Sequence, residues 1–237
     1  MTHEYNNHVA RHYAAFRPDL HPVILSRSIM PDEHFKIGLD VGCGTGCSTV
    51  ALAKYCDKVI GIDPNQPMLD QAVVHPGISY IKGFGDDFSV INGNLIDIVT
   101  FAGSLSYTKT SRLKSELLRT LSPEGTVIVY DFRIILDDLI ANTGVKGTDA
   151  LSGYNFKENL KDWSGFTTEI LSADTVSLQL SAQEASHILL ASSYRYQAFQ
   201  ERFNSDDPLD YLIDYIKQQN DKLLLIAEIY YARHCLS

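Results

Sequence analysis

A glycine-rich segment and one later aspartate carry the clearest chemical signal in this sequence. The segment reads Asp40-Val41-Gly42-Cys43-Gly44-Thr45-Gly46, and Asp63 follows Gly46 by 17 residues. Glycines allow unusual φ values and let a ligand approach the backbone without a Cβ in the way. A carboxylate at the end of the next strand can accept hydrogen bonds from both hydroxyls of a ribose. The spacing predicts a nucleoside-binding loop; the alternative is a plain strand-to-helix turn in which Asp63 caps a helix.

The positions of the glycines discriminate between nucleoside ligands. A dinucleotide-binding loop has the spacing G-x-G-x-x-G, and its third glycine would fall at Cys47. The acid Asp40 stands two residues before Gly42, where it would repel a pyrophosphate and attract a cationic group. S-adenosylmethionine brings a sulfonium and an ammonium group, so this loop favours it over a dinucleotide.

These residues need a scaffold, and the hydrophobic pattern predicts one of alternating strands and helices. Strands are predicted at residues 37–41, 58–62, 78–82, 96–102 and 126–132. Helices are predicted at residues 48–55, 66–73 and 111–121. Strands that alternate with helices form a parallel sheet covered on both faces, so we expect an α/β fold.

The flanking segments have a different pattern. Two helices, at 4–16 and 19–30, are predicted before the first strand, and residues 141–165 are typical of a long loop. A strand at 175–180, helices at 182–203 and 208–219, and a last strand at 223–233 are predicted to follow. Because no linker divides the chain, we expect a single domain over residues 1–237. Its parts would be N-terminal helices (1–34), a ligand-binding core (35–132) and a helical lid (181–219).

Charge and hydropathy exclude several classes of protein. The 237 residues contain 20 Lys and Arg against 29 Asp and Glu, a net charge of −9, which repels nucleic acid and anionic lipid. Apolar runs reach about five residues, against roughly 18 for a membrane span. The N-terminal residues resemble no secretion signal, and the four cysteines form no C-x-x-C pair. We therefore expect a cytoplasmic protein with reduced thiols that binds neither nucleic acid nor membranes.

Two pairs of residues have spacings that metal ligands sometimes show. Cys43 and Cys47 are four residues apart, but no second ligand pair accompanies them. His8 and His12 would share a helix face, but they lack the glutamate of the zincin motif. We expect no metal site.

At this point a family resemblance appears. Leu39 to Gly46, followed by Val59-Ile60-Gly61-Ile62-Asp63-Pro64, resembles the opening of a class I S-adenosylmethionine-dependent methyltransferase. Tyr13 to Pro18, Gly85-Asp86 and Ser192 to Tyr194 resemble segments of the small-molecule group that includes trans-aconitate-type enzymes and the methyltransferase type 11 proteins. The resemblance implies a Rossmann-like three-layer α/β/α sandwich. Its seven-stranded, mostly parallel sheet would have the order 3-2-1-4-5-7-6, with strand seven antiparallel.

The resemblance also implies which residues hold the methionine half of S-adenosylmethionine, the cofactor it predicts. The run Gly42-Cys43-Gly44 would line the methionine part, and Asp40 would reach its ammonium group. Phe101 and Ala102, at the end of the fourth strand, would lie beside the sulfonium.

The nucleoside half has its own implied contacts. Asp63 would hold the ribose and Pro64 would flank the adenine. Gly85 or Asp86, after the third strand, would face the adenine edge.

The methyl acceptor is less well defined. Many relatives carry His-Trp after the fourth strand, where this chain has Ser106-Tyr107, so a general base is missing there. That departure favours a carboxylate or another small anion as acceptor, which needs no deprotonation. Arg17 would pair with such an acceptor, or else form a surface ion pair. The residues expected to position the acceptor are Tyr13, Arg17, Ser106, Tyr107 and Tyr194.

Four functions follow from these patterns, with different support. The first is methylation of a small soluble acceptor by in-line displacement, under a lid whose aromatic residues either face the site or pack in a core. The second is a non-catalytic module that binds S-adenosylmethionine or a nucleoside and acts through a partner. A nucleic-acid methyltransferase and a nicotinamide-dependent oxidoreductase fit less well, because of the charge and of Cys47 respectively. The sequence leaves open the acceptor, the atom methylated, and whether the protein is a monomer or a homodimer.

Overall fold

The structure is a computed structural model that describes residues 7–91, 95–145, 154–219 and 222–237. Within these ranges it contains one seven-stranded sheet with the order β3-β2-β1-β4-β5-β7-β6. The strands are β1 (Phe35–Val41), β2 (Cys56–Asp63), β3 (Ile78–Lys82), β4 (Ile96–Ala102), β5 (Leu121–Ile134), β6 (Phe166–Ser181) and β7 (Lys222–Leu236). This is the strand order predicted from the resemblance.

In the described ranges, two helices precede β1, α3 to α6 lie among the first five strands, and α7 to α10 lie between β5 and β7. They are α1 (Asn7–Ala15), α2 (His21–Ser28), α3 (Cys47–Leu52), α4 (Gln66–Leu69), α5 (Leu105–Thr108), α6 (Ser111–Thr120), α7 (Asp137–Thr143), α8 (Ala182–Leu190), α9 (Ser193–Phe203) and α10 (Leu209–Gln219). In the described part of the chain, no helix is both long and apolar enough to cross a membrane.

The contacts of the chain divide it into two compact units, and the single domain expected from the sequence stays a prediction. The sheet unit contains Asp19–Phe132, Gly153–Asp174 and Ile229–Ser237. The helical unit contains Met1–Pro18, Arg133–Ser152 and Thr175–Glu228.

The sheet unit is built on parallel strand pairs. β1 pairs in parallel with β2 and with β4, β2 with β3, and β4 with β5. β7 runs antiparallel to β5, because Thr126 lies beside Cys235 while Ile135, later in the chain, bonds to Ile226. The carboxyl ends of β1, β2, β4 and β5 therefore lie at one edge, where ligands bind in open α/β sheets.

The core of the sheet unit explains why the central strands are predictable. β4 is an almost unbroken apolar run, and Ile96, Ile98, Val99 and Phe101 are fully buried. Strands buried on both faces have this pattern. Helix α6 packs Leu113 and Leu117 against the same core.

The helical unit has a separate core formed by α1, α7, α8, α9 and α10. Helix α8 begins with a capping box, in which the Ser181 hydroxyl accepts from the Glu184 amide and Glu184 accepts from the Ser181 amide. Such caps satisfy two backbone donors that a helix start would otherwise leave unpaired. Tyr196 and Phe199, two of the predicted lid aromatics, are buried in this core.

Several predicted elements have other bounds in the structure, and the helix predicted at 182–203 is two helices, α8 and α9, because the Ser192 side chain caps the start of α9. Helix α4 ends at Leu69 rather than at Val73, because the Val73 amide bonds to the Thr45 carbonyl and so leaves the helix. Strand β6 begins at Phe166 rather than at Thr175, and its exposure alternates along its length. Polar residues in its first half hide that alternation in the sequence.

Candidate functional site

The glycine loop connects β1 to α3, as the sequence predicts. Gly42, Gly44 and Gly46 have φ values of 75°, 53° and 86°, in the left-handed region that L side chains rarely adopt. The amides of Gly42 and Cys43 both donate to the carbonyl oxygen of Ile62, at 2.8 and 3.1 Å. These bonds fix the loop to the carboxyl end of β2.

Close packing gives two of these glycines a second reason to lack a side chain. A Cβ at Gly42 would lie 2.5 Å from the Cβ of Ser104, and one at Gly46 would collide with the hydroxyl of Tyr80. Tyr80 donates that hydroxyl to the Val73 carbonyl at 3.0 Å, and burial raises its pKa to about 12. At Gly44, by contrast, a Cβ would meet only the Met68 methyl at 3.4 Å. The loop is therefore tightly supported at Gly42 and Gly46, and its backbone is more accessible at Gly44.

Asp63 lies next to this loop, half-buried at the end of β2. Its Oδ2 accepts from the Gly44 amide at 3.0 Å, and its Oδ1 accepts from the Asn65 amide at 2.8 Å. Asp63 does not cap helix α4, whose N-cap residue is Asn65, so the capping alternative is wrong. The carboxylate instead ties the glycine loop to the turn after β2.

Asp40 is buried beneath the loop rather than on its surface. Its Oδ2 accepts from the hydroxyls of Ser48 at 2.6 Å and Thr49 at 2.7 Å, and its Oδ1 accepts from that of Thr100 at 2.8 Å. Burial raises the pKa of Asp40, although the three hydroxyls act in the opposite direction. Because this side chain is fully buried, it holds α3 and β4 to β1. Contact of Asp40 with an ammonium group stays a prediction.

The remaining predicted contacts of the nucleoside lie on loops after β2 and β3. Pro64 is exposed, as a residue flanking a ligand would be. Gly85 packs so closely on Thr108 and Val41 that a side chain there would collide with Thr108. Asp86 is half-buried and accepts from the Thr110 hydroxyl at 3.1 Å. Their roles toward adenine stay predictions.

The side chains of two residues predicted to contact the methionine half are buried, and their contacts with it stay predictions. The side chain of Phe101 is fully buried in the core of the sheet unit, because it points to the opposite side of β4 from Thr100. Only backbone atoms of Phe101 could face a ligand, whereas Ala102 is half-buried. Cys43 is buried as well, and desolvation raises the pKa of its thiol.

A shallow cleft opens in the sheet unit where β4 and β5 end. Its lining includes Ser106, which was predicted to position the acceptor and whose hydroxyl accepts from the Asn155 amide at 3.1 Å. Tyr107, also predicted, is 73% exposed and its ring centroid lies 5.4 Å from that of Tyr154. The cleft is lined by Gly103, Leu105, Ser106, Val129, Tyr130, Asp131, Tyr154, Asn155, Phe156 and Glu158.

Asp131 and Tyr154 are two of the cleft residues that the sequence reasoning missed. The Tyr154 hydroxyl bonds to Asp131 Oδ2 and lies 3.2 Å from the Gly103 carbonyl oxygen. Asp131 lies near the carboxyl end of β5, a position where parallel sheets place functional side chains, so a signal for it existed. Tyr154 follows a loop rich in small polar residues and gives no such signal.

The other residues predicted to position the acceptor belong to the helical unit. Arg17 and Tyr194 are exposed, the latter by 52%, and the side chain of Tyr13 lies outside the described residues. Their predicted role stays a prediction.

The residues with metal-like spacing have other environments. Cys47 is exposed while Cys43 is buried. His12 is fully buried, with its Nδ1 2.9 Å from Nδ1 of His187. Across the described ranges, no group of three or more His, Cys, Asp and Glu side chains could hold a metal ion.

The fold and this site together define a class. A sheet of this order with an antiparallel β7, a glycine loop after β1 and an acid at the end of β2 is the arrangement of class I S-adenosylmethionine-dependent methyltransferases. A family model described as "Methyltransferase domain" matches residues 39–129. The fold, the site and this match therefore agree with a class I S-adenosylmethionine-dependent methyltransferase domain. The trans-aconitate-type subgroup stays a prediction.

Similar proteins agree with this assignment. A protein of Dictyostelium discoideum named as a methyltransferase is 28% identical over 131 residues, covering 54% of this chain and 48% of that protein. A Saccharomyces cerevisiae protein named as an S-adenosylmethionine-dependent methyltransferase is 32% identical over 129 residues, covering 51% and 44%. The chain thus matches about half the length of these curated relatives. The solved structure of a protein from Anaeromyxobacter dehalogenans, described as a type II methyltransferase, has the same fold. Its TM-score is 0.64 at 18% identity, over 92% of this chain and 97% of that one.

Proposed function

We propose that this protein binds S-adenosylmethionine at the glycine loop and catalyses transfer of its methyl group to a small acceptor in the neighbouring cleft. One observation carries the proposal: a loop of three left-handed glycines is bonded to Asp63 through the Gly44 amide, within a segment that matches a methyltransferase domain. A plain structural turn would not need an acid bonded to the loop amide at Gly44.

The residues present fit this cofactor. An added Cβ at Gly44 meets little, so a ligand can approach the backbone closely there. Asp63 accepts two backbone hydrogen bonds, whereas a carboxylate has about four lone-pair sites. The carboxylate can therefore hold the loop and also accept from ribose hydroxyls.

The protein's contribution to the reaction is mainly positional. When bound, S-adenosylmethionine supplies an electrophilic methyl group, whose bond to sulfur breaks with both electrons remaining on sulfur as an acceptor lone pair forms the new bond. The chain aligns the acceptor with that methyl group and excludes water, which can supply most of the acceleration. No nucleophilic side chain is required.

The cleft bears on the charge of the acceptor. Its lining contains two carboxylates, Asp131 and Glu158, and none of the lining residues is Lys or Arg. This arrangement does not favour the anionic acceptor expected from the sequence.

A turnover assay tests the proposal and separates it from a non-catalytic binding module. Purified protein is incubated with S-adenosylmethionine and a broad panel of small amines, alcohols, thiols and carboxylates, and S-adenosylhomocysteine is quantified by mass spectrometry. Catalysis predicts acceptor-dependent S-adenosylhomocysteine that is lost on heat denaturation. Binding of S-adenosylmethionine without turnover on any acceptor would favour the binding module instead.

A further inference from the structure

One row of residues crosses the sheet directly beneath the glycine loop. Tyr80 of β3 is opposite Gly61 of β2, and Gly61 is opposite Asp40 of β1. Residues that are directly opposite one another in a sheet have side chains on the same face. On this face the Asp40 carboxylate accepts from two hydroxyls of α3. The Tyr80 side chain therefore lies on the face of the sheet that carries α3 and the loop.

Gly61 leaves room in this row for the ring of Tyr80. A Cβ at Gly61 would lie 2.8 Å from Cδ1 of Tyr80 and 3.0 Å from Sγ of Cys43. The ring thus extends across β2 to the loop, where its hydroxyl occupies the space that a side chain on Gly46 would need. Because Gly61 and Gly46 both lack a side chain, one tyrosine fits between the sheet and the loop.

The Tyr80 hydroxyl is bonded to the chain that follows β2. It donates to the carbonyl oxygen of Val73 at 3.0 Å, and the amide of Val73 donates to the carbonyl oxygen of Thr45 at 3.1 Å. Because burial raises the pKa of Tyr80 to about 12, the hydroxyl keeps its proton and remains a donor at neutral pH. Tyr80 therefore holds Val73, and Val73 holds the glycine loop.

These bonds close a stretch of chain that we call the nucleoside segment, residues 63–73. Its first residue, Asp63, accepts from the Gly44 amide, and its last residue, Val73, donates to Thr45 of the same loop. The segment carries Asp63 and Pro64, which are expected to contact the ribose and the adenine. Its helix α4 has four residues, and so short a helix gains little stability by itself. The position of the segment therefore depends on the bonds at its two ends.

From these observations we propose that Tyr80 is a positioning residue of the cofactor site, whose hydroxyl holds the nucleoside segment against the glycine loop in the arrangement that binds S-adenosylmethionine. Tyr80 acts through the segment rather than by contact with the ligand. The inference rests on the proposed function for the identity of that ligand.

Tyr80→Phe tests the inference, because it removes the hydroxyl and keeps the ring. In the free variant, we expect the amides of residues 42–46 and 63–73 to exchange with deuterium about three- to tenfold faster than in the wild type, since one bond that closes the segment is lost. Mass spectrometry of peptides measures this exchange. Affinity for S-adenosylhomocysteine, measured by calorimetry, should fall by a similar factor, because the ligand binds only the closed arrangement.

Tyr230→Phe is the matched control within the sheet unit. It removes the hydroxyl of a buried tyrosine that accepts from Asn159 Nδ2 at 2.8 Å, outside the glycine loop and the nucleoside segment. Thermal denaturation should show some loss of stability in both variants. Affinity for S-adenosylhomocysteine and exchange in the two segments should change only in Tyr80→Phe, whereas a merely structural role of Tyr80 predicts the same behaviour for both variants.

The wild-type protein supplies a measurement that depends on no variant. Both segments should already be protected from exchange before ligand is added, and rapid exchange there would overturn the inference. It is also wrong if Tyr80→Phe binds S-adenosylhomocysteine as tightly as the wild type, if its exchange is unchanged, or if Tyr230→Phe loses as much affinity. Failure of the wild type to bind S-adenosylhomocysteine contradicts the proposed function instead, and the exchange rates then still report whether Tyr80 holds the segment.

Discussion

Replacing Asp63 by alanine removes two interactions that we assign to this side chain, its bonds to the backbone of the loops and its contact with the ribose. Their effects can be measured separately. In the free protein, Asp63 accepts from the amides of Gly44 and Asn65 at 3.0 and 2.8 Å. Loss of these two bonds from a half-buried carboxylate should lower the free energy of unfolding by about 1–3 kcal/mol. The glycine loop should remain folded, because the amides of Gly42 and Cys43 still bond to Ile62.

In the bound protein, the variant should also lose its contact with the ribose. Hydrogen bonds to a charged group contribute about 1.5–3 kcal/mol, so affinity for S-adenosylhomocysteine should fall roughly 10- to 150-fold. Calorimetry measures the affinity and urea denaturation measures the stability. Asp70→Ala is the matched control: this carboxylate is exposed and accepts from the Gln66 side chain at 2.8 Å, so neither quantity should change much.

A double cycle distinguishes the ribose contact from the loop contact. Affinities of wild type and Asp63→Ala are compared for S-adenosylhomocysteine and its 2′-deoxyribose analogue. If Asp63 binds the ribose, the two changes should be coupled by about 1 kcal/mol or more. Additive effects would assign Asp63 to the loop alone. Equal affinity of wild type and Asp63→Ala would remove Asp63 from the site and refute the reasoning.

Three further predictions concern other parts of the chain. Gly42→Ala should destabilise the protein by at least about 1 kcal/mol in thermal denaturation, because φ is 75° and the new Cβ would press on Ser104; Gly83→Ala, where φ is not positive, should cost less. Burial, and next the charge of a neighbouring arginine, lowers the pKa of His12 to about 4 from 6.5. Because the pKa of His12 is lower in the folded state, its contribution to stability is present above pH 6.5 and is lost as the pH falls toward 4. The free energy of unfolding should fall by about 2 kcal/mol between about pH 7 and about pH 5. Urea denaturation should show this loss in the wild type and less of it in His12→Gln; an equal loss in both would contradict it. Finally, a chain of net charge −9 should give no gel shift with RNA or DNA at physiological salt, and tight binding would contradict that expectation.

The sequence predicts the bounds of those strands that are set by a clear pattern of apolar residues. β3 and β4 have the predicted bounds, since β4 is a single apolar run buried on both faces. The strand order followed from the family resemblance rather than from the pattern. The end of α4 could not be predicted, because it depends on a bond between Val73 and Thr45 that only the folded loop creates.

The candidate site was predictable where it is local in sequence. The glycines and Asp63 are linked by one strand and one helix, so their spacing is sufficient to identify them. The side chain of Phe101 lies in the core, which the sequence reasoning did not predict, and the place of Phe101 beside the sulfonium stays a prediction. The contact between Asp131 and Tyr154 joins residues from two distant segments, and no local pattern in the sequence predicts it.

The measurement that tests the central claim most directly is calorimetric titration of the wild-type protein with S-adenosylmethionine, with NADH as the comparison ligand. The glycine spacing and the bond between Asp63 and Gly44 predict saturable binding of S-adenosylmethionine at one site per chain and no binding of NADH. Binding of NADH without binding of S-adenosylmethionine would contradict the account.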